Sequence, residues 1–105
     1  MLYNPGLPSL VLFKANWCSH CQHFLPIWNA LIKLAPLNRI NMVTIDSDQQ
    51  KSFVERIKSL NGFPTLYFVP RVGPAVMYGG SRDPVSIVDY VNGALGEELI
   101  KLPKA

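Results

Sequence analysis

Leu10-Val11-Leu12-Phe13-Lys14-Ala15-Asn16-Trp17-Cys18-Ser19-His20-Cys21 joins two kinds of patterning at one point. Ser9 to Phe13 is a short apolar, β-rich run bounded by Pro8 and Asn16, which predicts a buried strand. From Cys21 the spacing becomes helical: Cys21, Phe24, Leu25, Trp28, Leu31, Ile32 and Ala35 form one apolar stripe, with Gln22, His23, Asn29 and Lys33 opposite. Pro26 lies inside this helix and is expected to kink it, and Pro36 ends it. The two cysteines flank the boundary. At a helix start, positions i and i+3 share a face, so Cys18 and Cys21 lie close enough to bridge.

The pair is asymmetric. Cys18 sits near the helix N-terminus, where unpaired N–H groups and the helix dipole favour an anion, so its thiol is expected to ionise readily. Cys21 lies one turn in, with its N–H already bonded and its side chain on the buried stripe. That arrangement predicts attack by Cys18 on a disulfide, followed by attack of Cys21 on the Cys18 sulfur, or the reverse sequence. His20, between them, is expected to stabilise the Cys18 thiolate and make the couple more oxidising.

Working outward, Ile40 to Ile45 reads as a second strand, and Ser47 and Asp48 as caps of a helix from about Gln49 to Ser59, with Phe53, Val54, Ile57 and Leu60 inside. Asn61-Gly62 closes that helix, and Thr65 to Val69 is a third strand. Pro70 to Pro74 is a turn, and Ala75 to Tyr78 a fourth strand. Asp83-Pro84 is a cap followed by an N1 proline, starting a last helix with Val85, Val88, Val91, Ala94 and Leu95 inward. The order β-α-β-α-β-β-α predicts an α/β fold: a four-stranded mixed sheet with helices on both faces, strands one to three parallel and the last two antiparallel.

The 105 residues fit one domain spanning 1–105. A hydrophobic share of 49% and a charged share of 16% exclude a disordered chain. A formal charge of +3, from scattered basic residues, gives no reason to expect nucleic acid. Residues Met1 to Pro8 lack a basic n-region and are broken by two prolines, and Leu10 to Phe13 is too short to span a bilayer. The C-terminus carries neither a retention tetrapeptide nor a CaaX cysteine. The chain as written is therefore expected to be soluble, off the membrane and cytoplasmic, with a lumenal or viral setting left open. No phosphate loop or dinucleotide fingerprint occurs, so no cofactor is expected beyond the cysteine pair itself. Electrons must then come from another protein or from a small thiol, and a recycling reductase or oxidase is expected as a partner.

With these residues in view, the stretch from Leu10 to Cys21 resembles the active-site strand and turn of the thioredoxin superfamily, particularly the protein disulfide isomerase type, whose usual dipeptide between the cysteines is Gly-His. Pro26 matches the kink proline of that family, Phe63-Pro64-Thr65 its cis-proline loop, and Tyr78-Gly79-Gly80-Ser81-Arg82 the approach to its last helix. The resemblance covers about residues 9 to 95. It implies a thioredoxin-like fold, a thiol–disulfide oxidoreductase with Cys18, His20 and Cys21 at its centre, a cis Pro64, and a substrate segment pairing beside Phe63 and Pro64 with Trp17 as an apolar wall. Its partners would be proteins bearing disulfides or dithiols. Two departures stand out. The family's buried acid falls at Leu12 and its lysine partner near Met42, so that both charges are replaced by apolar residues. The strand and helix that usually precede the active-site strand are shortened to eight residues, which predicts either a short N-terminal cover over an exposed Ile40–Ile45 edge or a homodimer through that edge.

Other readings use the same residues. A zinc site would need two more ligands, and His20 and His23 share one turn with the pair, so no metal site is expected. The plainer alternatives are an inert pair, His20 as a solvated turn residue, Arg82 as a solvated loop residue, and Lys14 either near the site or pointed to water. A non-enzymatic binding module with a redox-switch disulfide is the competing class, and glutathione-linked reduction the competing chemistry.

Overall fold

The computed structural model describes residues 3–57, 60 and 62–103. Strand β1 (Ser9–Lys14) leads through a tight turn into α1 (Ser19–Leu34). Strand β2 (Asn41–Asp46), the short helix α2 (Lys51–Glu55), β3 (Thr65–Val69), β4 (Val76–Met77) and α3 (Pro84–Leu95) follow. The sheet order is β2-β1-β3-β4. The α/β fold with a four-stranded mixed sheet and flanking helices is as the sequence predicts.

Alternation along β1 assigns its two faces. Leu10 and Leu12 point to one side, where they join Phe24, Trp28 and Leu31 of α1, Ile87, Val88 and Val91 of α3, and Met42, Leu66 and Phe68 of the flanking strands. The helical stripe expected from Cys21 to Ala35 is this buried face of α1, and Pro26 lies on its exposed side. Val11 and Phe13 point to the other side, where Phe13 stacks on Phe53 with centroids 6.4 Å apart and meets Tyr67 edge-on at 5.6 Å. This second face is thinly covered: Val11, Phe13, Ile45, Phe53, Ile57, Tyr67, Val69 and Ala75 line an open apolar groove of about 300 Å³.

Three expectations need correction. Strand β2 runs parallel to β1, but β3 runs antiparallel to it, with Phe13 opposite Thr65 and Ser9 opposite Val69. The reason is the connection. A five-residue helix rises about 7.5 Å, whereas a six-residue strand spans about 20 Å, so α2 cannot carry the chain back along the sheet. The chain stays at the end where β2 finished, and β3 descends from there. The second correction is α2 itself, expected from Gln49 to about Ser59. It forms only five residues, with no side-chain cap and no buried residue. Helices draw most of their stability from packing an apolar face, and Phe53, at 47% exposed, has only the rim of the sheet to lie on. Lys58, Ser59 and Asn61 lie outside the described residues, and with them the end of that expected helix and the Asn61-Gly62 stop. Third, the inner face of α3 keeps Val88, Val91 and Leu95 as expected but differs at its two ends. Ile87 is buried, whereas Val85 and Ala94 are exposed.

The start of α3 is as expected. The Asp83 side chain accepts the Ser86 N–H at 2.8 Å, and Pro84 occupies the first turn. The helix ends on Gly96, which takes the left-handed φ of 70° that favours glycine. Asn92 then ties down the following segment, donating to the Ile100 carbonyl and accepting the Leu99 and Ile100 N–H groups. At the other edge, Asn41 exchanges two 2.9 Å hydrogen bonds with the Asn4 backbone, and its N–H donates to the Pro8 carbonyl. The N-terminal segment therefore meets the β2 edge at its first residue.

Candidate functional site

The turn after β1 is built to present Cys18. Its N–H donates to the Ala15 carbonyl, and its carbonyl accepts the Gln22 N–H, which fixes the entry into α1. Cys18 is itself the N-cap residue, in extended conformation, and its Sγ accepts the Cys21 N–H at 3.2 Å. The Cys21 amide is therefore not satisfied within the helix, as its position one turn in would suggest. It is one of the free donors of the first turn, and it points at the neighbouring sulfur. The Cys18 thiol in turn donates to the Phe63 carbonyl at 3.4 Å.

The two sulfurs differ in surroundings. Both cysteines are free thiols, Cys18 at 7% exposure and Cys21 at 1%. They pack in a small cluster with Ala15 and, half-buried above them, Phe63. Burial first, and the hydrogen bond to Cys18 second, push the Cys21 thiol from 9.0 up to about 11, against the opposing pull of an Ala15 backbone hydrogen bond and the Lys14 charge.

Antiparallel β3 brings its leading residues to the same end of the sheet as Cys18. The Phe63–Pro64 bond is cis, as the resemblance implied. A parallel β3 would have put Pro64 at the far end. Trp17 is 70% exposed and is nonetheless held: its ring meets Phe63 edge-on with centroids 5.9 Å apart, and its Nε1–H donates to Asp48 Oδ1 at 3.2 Å. Asp48 thus anchors Trp17 instead of capping α2. The cap-like contacts there belong to Asp46, whose Oδ1 accepts the Asp48 N–H at 2.9 Å. Ser47, the other expected cap, is buried, and its hydroxyl has no hydrogen-bond partner among the described residues.

Cys18, Cys21, Trp17, Phe63 and Pro64 are therefore brought together. His20 is not joined to them by hydrogen bonds: it is exposed and lines a shallow cleft of about 160 Å³ with His23, Phe24, Ile27 and Arg82. Arg82, read from the sequence as a solvated loop residue, donates from Nη1 to the Pro64 carbonyl at 3.4 Å. Leu12 is fully buried, and the residue across from it on β2 is Thr44, not Met42. Thr44 Oγ1 accepts the Trp28 Nε1–H at 2.8 Å, so a neutral hydrogen bond occupies that level of the core. Lys14 does not point to water; it pairs with Asp46 at 3.0 Å. Among the described residues no cluster of three or more His, Cys, Asp or Glu side chains could hold a metal ion, and no helix is long and apolar enough to cross a membrane.

A mixed sheet whose central strand runs into a Cys-x-x-Cys helix start, facing a cis proline, defines a thiol-bearing domain of the thioredoxin type. The thioredoxin family profile matches residues 2–93, and the chain belongs to that family. Among curated proteins it is 34% identical over 93 residues to a probable protein disulfide-isomerase ER-60 of Schistosoma mansoni, covering 87% of this chain and 19% of that protein. It is likewise 34% identical over 91 residues to the protein disulfide-isomerase tigA of Aspergillus niger, covering 83% of this chain and 25% of that one. The chain thus spans a quarter or less of the length of these relatives. Among solved structures, the J-Trx1 fragment of ERdj5 superposes with a TM-score of 0.77 at 24% identity, over 90% of this chain and 46% of that one. The Trx4 domain of ERdj5 gives a TM-score of 0.74 at 19% identity, over 86% and 81% of the two chains.

Proposed function

We propose that this domain is a thiol–disulfide oxidoreductase acting on protein disulfides or dithiols, with Cys18 as attacking and Cys21 as resolving sulfur. The observation that carries the reading is the division of labour at the helix start: the Cys18 sulfur caps the helix and takes an N–H donor, while the Cys21 sulfur is sheltered and kept protonated by burial. In the reducing direction, the Cys18 thiolate attacks one sulfur of a substrate disulfide. That S–S bond breaks, a Cys18–substrate disulfide forms, and the departing substrate sulfur takes a proton. Cys21 then loses its proton and attacks the Cys18 sulfur, the second substrate thiol leaves, and the domain holds a Cys18–Cys21 disulfide. Two electrons have passed to the substrate. The reverse sequence donates the disulfide to a substrate dithiol, and a partner reductase or oxidase restores the pair.

Trp17, Phe63 and Pro64 form the substrate wall. Cis proline offers no N–H, which leaves the backbone at Phe63 to pair with an extended segment beside Cys18. His20, exposed on the first turn of α1 between the two cysteines, is the residue that tunes the couple. The Cys21→Ser variant is expected to accumulate mixed disulfides at Cys18 that mass spectrometry can identify. Equal or better trapping by Cys18→Ser would reverse the assignment.

A second reading draws on Trp17, whose large exposed ring is fixed by Asp48 and Phe63 as a docking platform would be. Such a binding module would switch its disulfide without turning substrate over. Repeated reduction of a protein disulfide with excess dithiol marks the enzyme.

A further inference from the structure

Lys14 takes no part in the exchange as written, yet its place is closely defined. Alternation along β1 sets it on the face of Leu10 and Leu12, the face on which α1 packs, one step beyond Leu12 toward the cysteines. Directly across the parallel register stands Asp46. Lys14 Nζ lies 3.0 Å from Asp46 Oδ2 and 2.7 Å from Asn16 Oδ1, and the two charged side chains are only 16% and 11% exposed. Asn16 is tied to α1 through its carbonyl, which accepts the Gln22 Nε2–H at 3.0 Å. The ammonium is thus fixed between β2 and the turn that carries the two sulfurs, and the next residue, Ala15, packs in the cysteine cluster. At the level of Leu12 the strands carry no charge, since its partners are Thr44 and Leu66.

We propose that Lys14, held by Asp46 and Asn16, is a positioning residue for the resolving step, its charge supporting the negative charge that Cys21 develops as it attacks the mixed disulfide. The inference rests on the oxidoreductase reading and adds a residue to it. In that step the Cys21 proton passes to water, the Cys21–Cys18 bond forms, the Cys18–substrate bond breaks, and the substrate sulfur leaves with the electron pair and is protonated. Of the charged and titratable groups on the surrounding elements, Lys14 of β1 and Cys18 at the start of α1 act on Cys21, Asp46 of β2 pairs with Lys14, and His20 and Arg82 line the outer cleft beside Phe24. The Ala15 backbone hydrogen bond and, more weakly, the Lys14 charge pull the Cys21 thiol down against its burial. The Lys14 hydrogen bond holds the Asp46 carboxyl below the ordinary 3.8, so the tether stays charged at neutral pH.

The test follows one turnover with glutathione disulfide as the probe, acid-quenched and read by mass spectrometry from pH 6 to 10. In Lys14→Met the adduct at Cys18 is expected to form at the wild-type rate. Its lifetime should lengthen about two- to threefold near pH 7, with the resolution profile moved to higher pH, as a thiol harder to ionise requires. Lys14→Arg should restore at least half of the lost rate. If Lys14→Met does not fold, Lys14→Gln decides: it keeps a donor for Asp46 and Asn16 without the charge, and the lifetime should still lengthen. An unchanged lifetime and profile in the folded variant, or no recovery with arginine, overturns the role of Lys14 alone. A wild-type domain that never forms the adduct overturns the oxidoreductase reading itself.

Discussion

The protonation of Cys21 gives the sharpest quantitative prediction. At pH 9.0 an ordinary cysteine is half ionised, whereas a thiol pushed up to about 11 is only about 1% ionised, a roughly fiftyfold difference in reactive thiolate. A Cys18→Ala variant isolates the effect, because it leaves Cys21 as the sole thiol. It also removes the Cys18 hydrogen bond and charge, which both raise Cys21, so the shift should shrink while burial, the largest cause, keeps it upward. Thiolate absorbance or iodoacetamide reactivity, scanned from pH 7 to 11.5 with circular dichroism as the folding control, is expected to place half-ionisation of the folded variant above that of the same variant in urea. The sign for stability follows. In the window from 9.0 to about 11 the unfolded chain has released a proton that the folded chain retains, so stability falls as pH rises through it. The urea midpoint of the reduced wild-type protein should accordingly drop between pH 8 and 10.5. Folded and denatured titration curves that coincide, or a folded curve lying lower, would refute the sheltered role of Cys21.

Other consequences are separately checkable. Trp28→Phe breaks the 2.8 Å bond to Thr44 and should cost about 1–2 kcal/mol, with a smaller cost in a Thr44→Val background, as a double-mutant cycle in urea would show. Leu12→Glu should cost about 3 kcal/mol or more, because the site is fully buried and Thr44 and Leu66 opposite it offer no cation; a midpoint within error of wild type would contradict that account. The Asp83 carboxyl is held below 3.8 mainly by the Ser86 N–H, so its cap is present above the ordinary value and lost as acid titrates it. Asp83→Ala should thus lower the melting temperature at pH 7 and make little difference near pH 2. Asp48→Ala should release the Trp17 ring, seen as altered tryptophan fluorescence anisotropy with little change in melting temperature.

The geometry of the candidate site was largely legible in the sequence because its signals are local. A strand-to-helix switch, two cysteines three apart and an apolar stripe at helical spacing all lie within one continuous run, and β1 and α1 follow them closely. Thr65–Val69 and the Asp83-Pro84 start are local in the same sense. What escaped was set by distance in space. Periodicity marks a strand without giving its direction, and β3 is antiparallel because α2 is short, which depends on how little apolar surface Phe53 finds. The pairs Lys14–Asp46 and Trp17–Asp48 bridge about thirty residues and follow only once the parallel register of β1 and β2 is known. Alternation alone already put Lys14 on the α1 face, and that signal could have been used.

In the proposed oxidoreductase the helix cap is also the attacking sulfur, so the bonding state of residue 18 is coupled to the backbone it caps. Each time that atom joins another sulfur it becomes a weaker acceptor, and the amide of residue 21 loses part of its partner. The opening turn of α1 would then slacken and tighten once per cycle, and hydrogen–deuterium exchange at that single amide would report which stage of the cycle the molecule occupies.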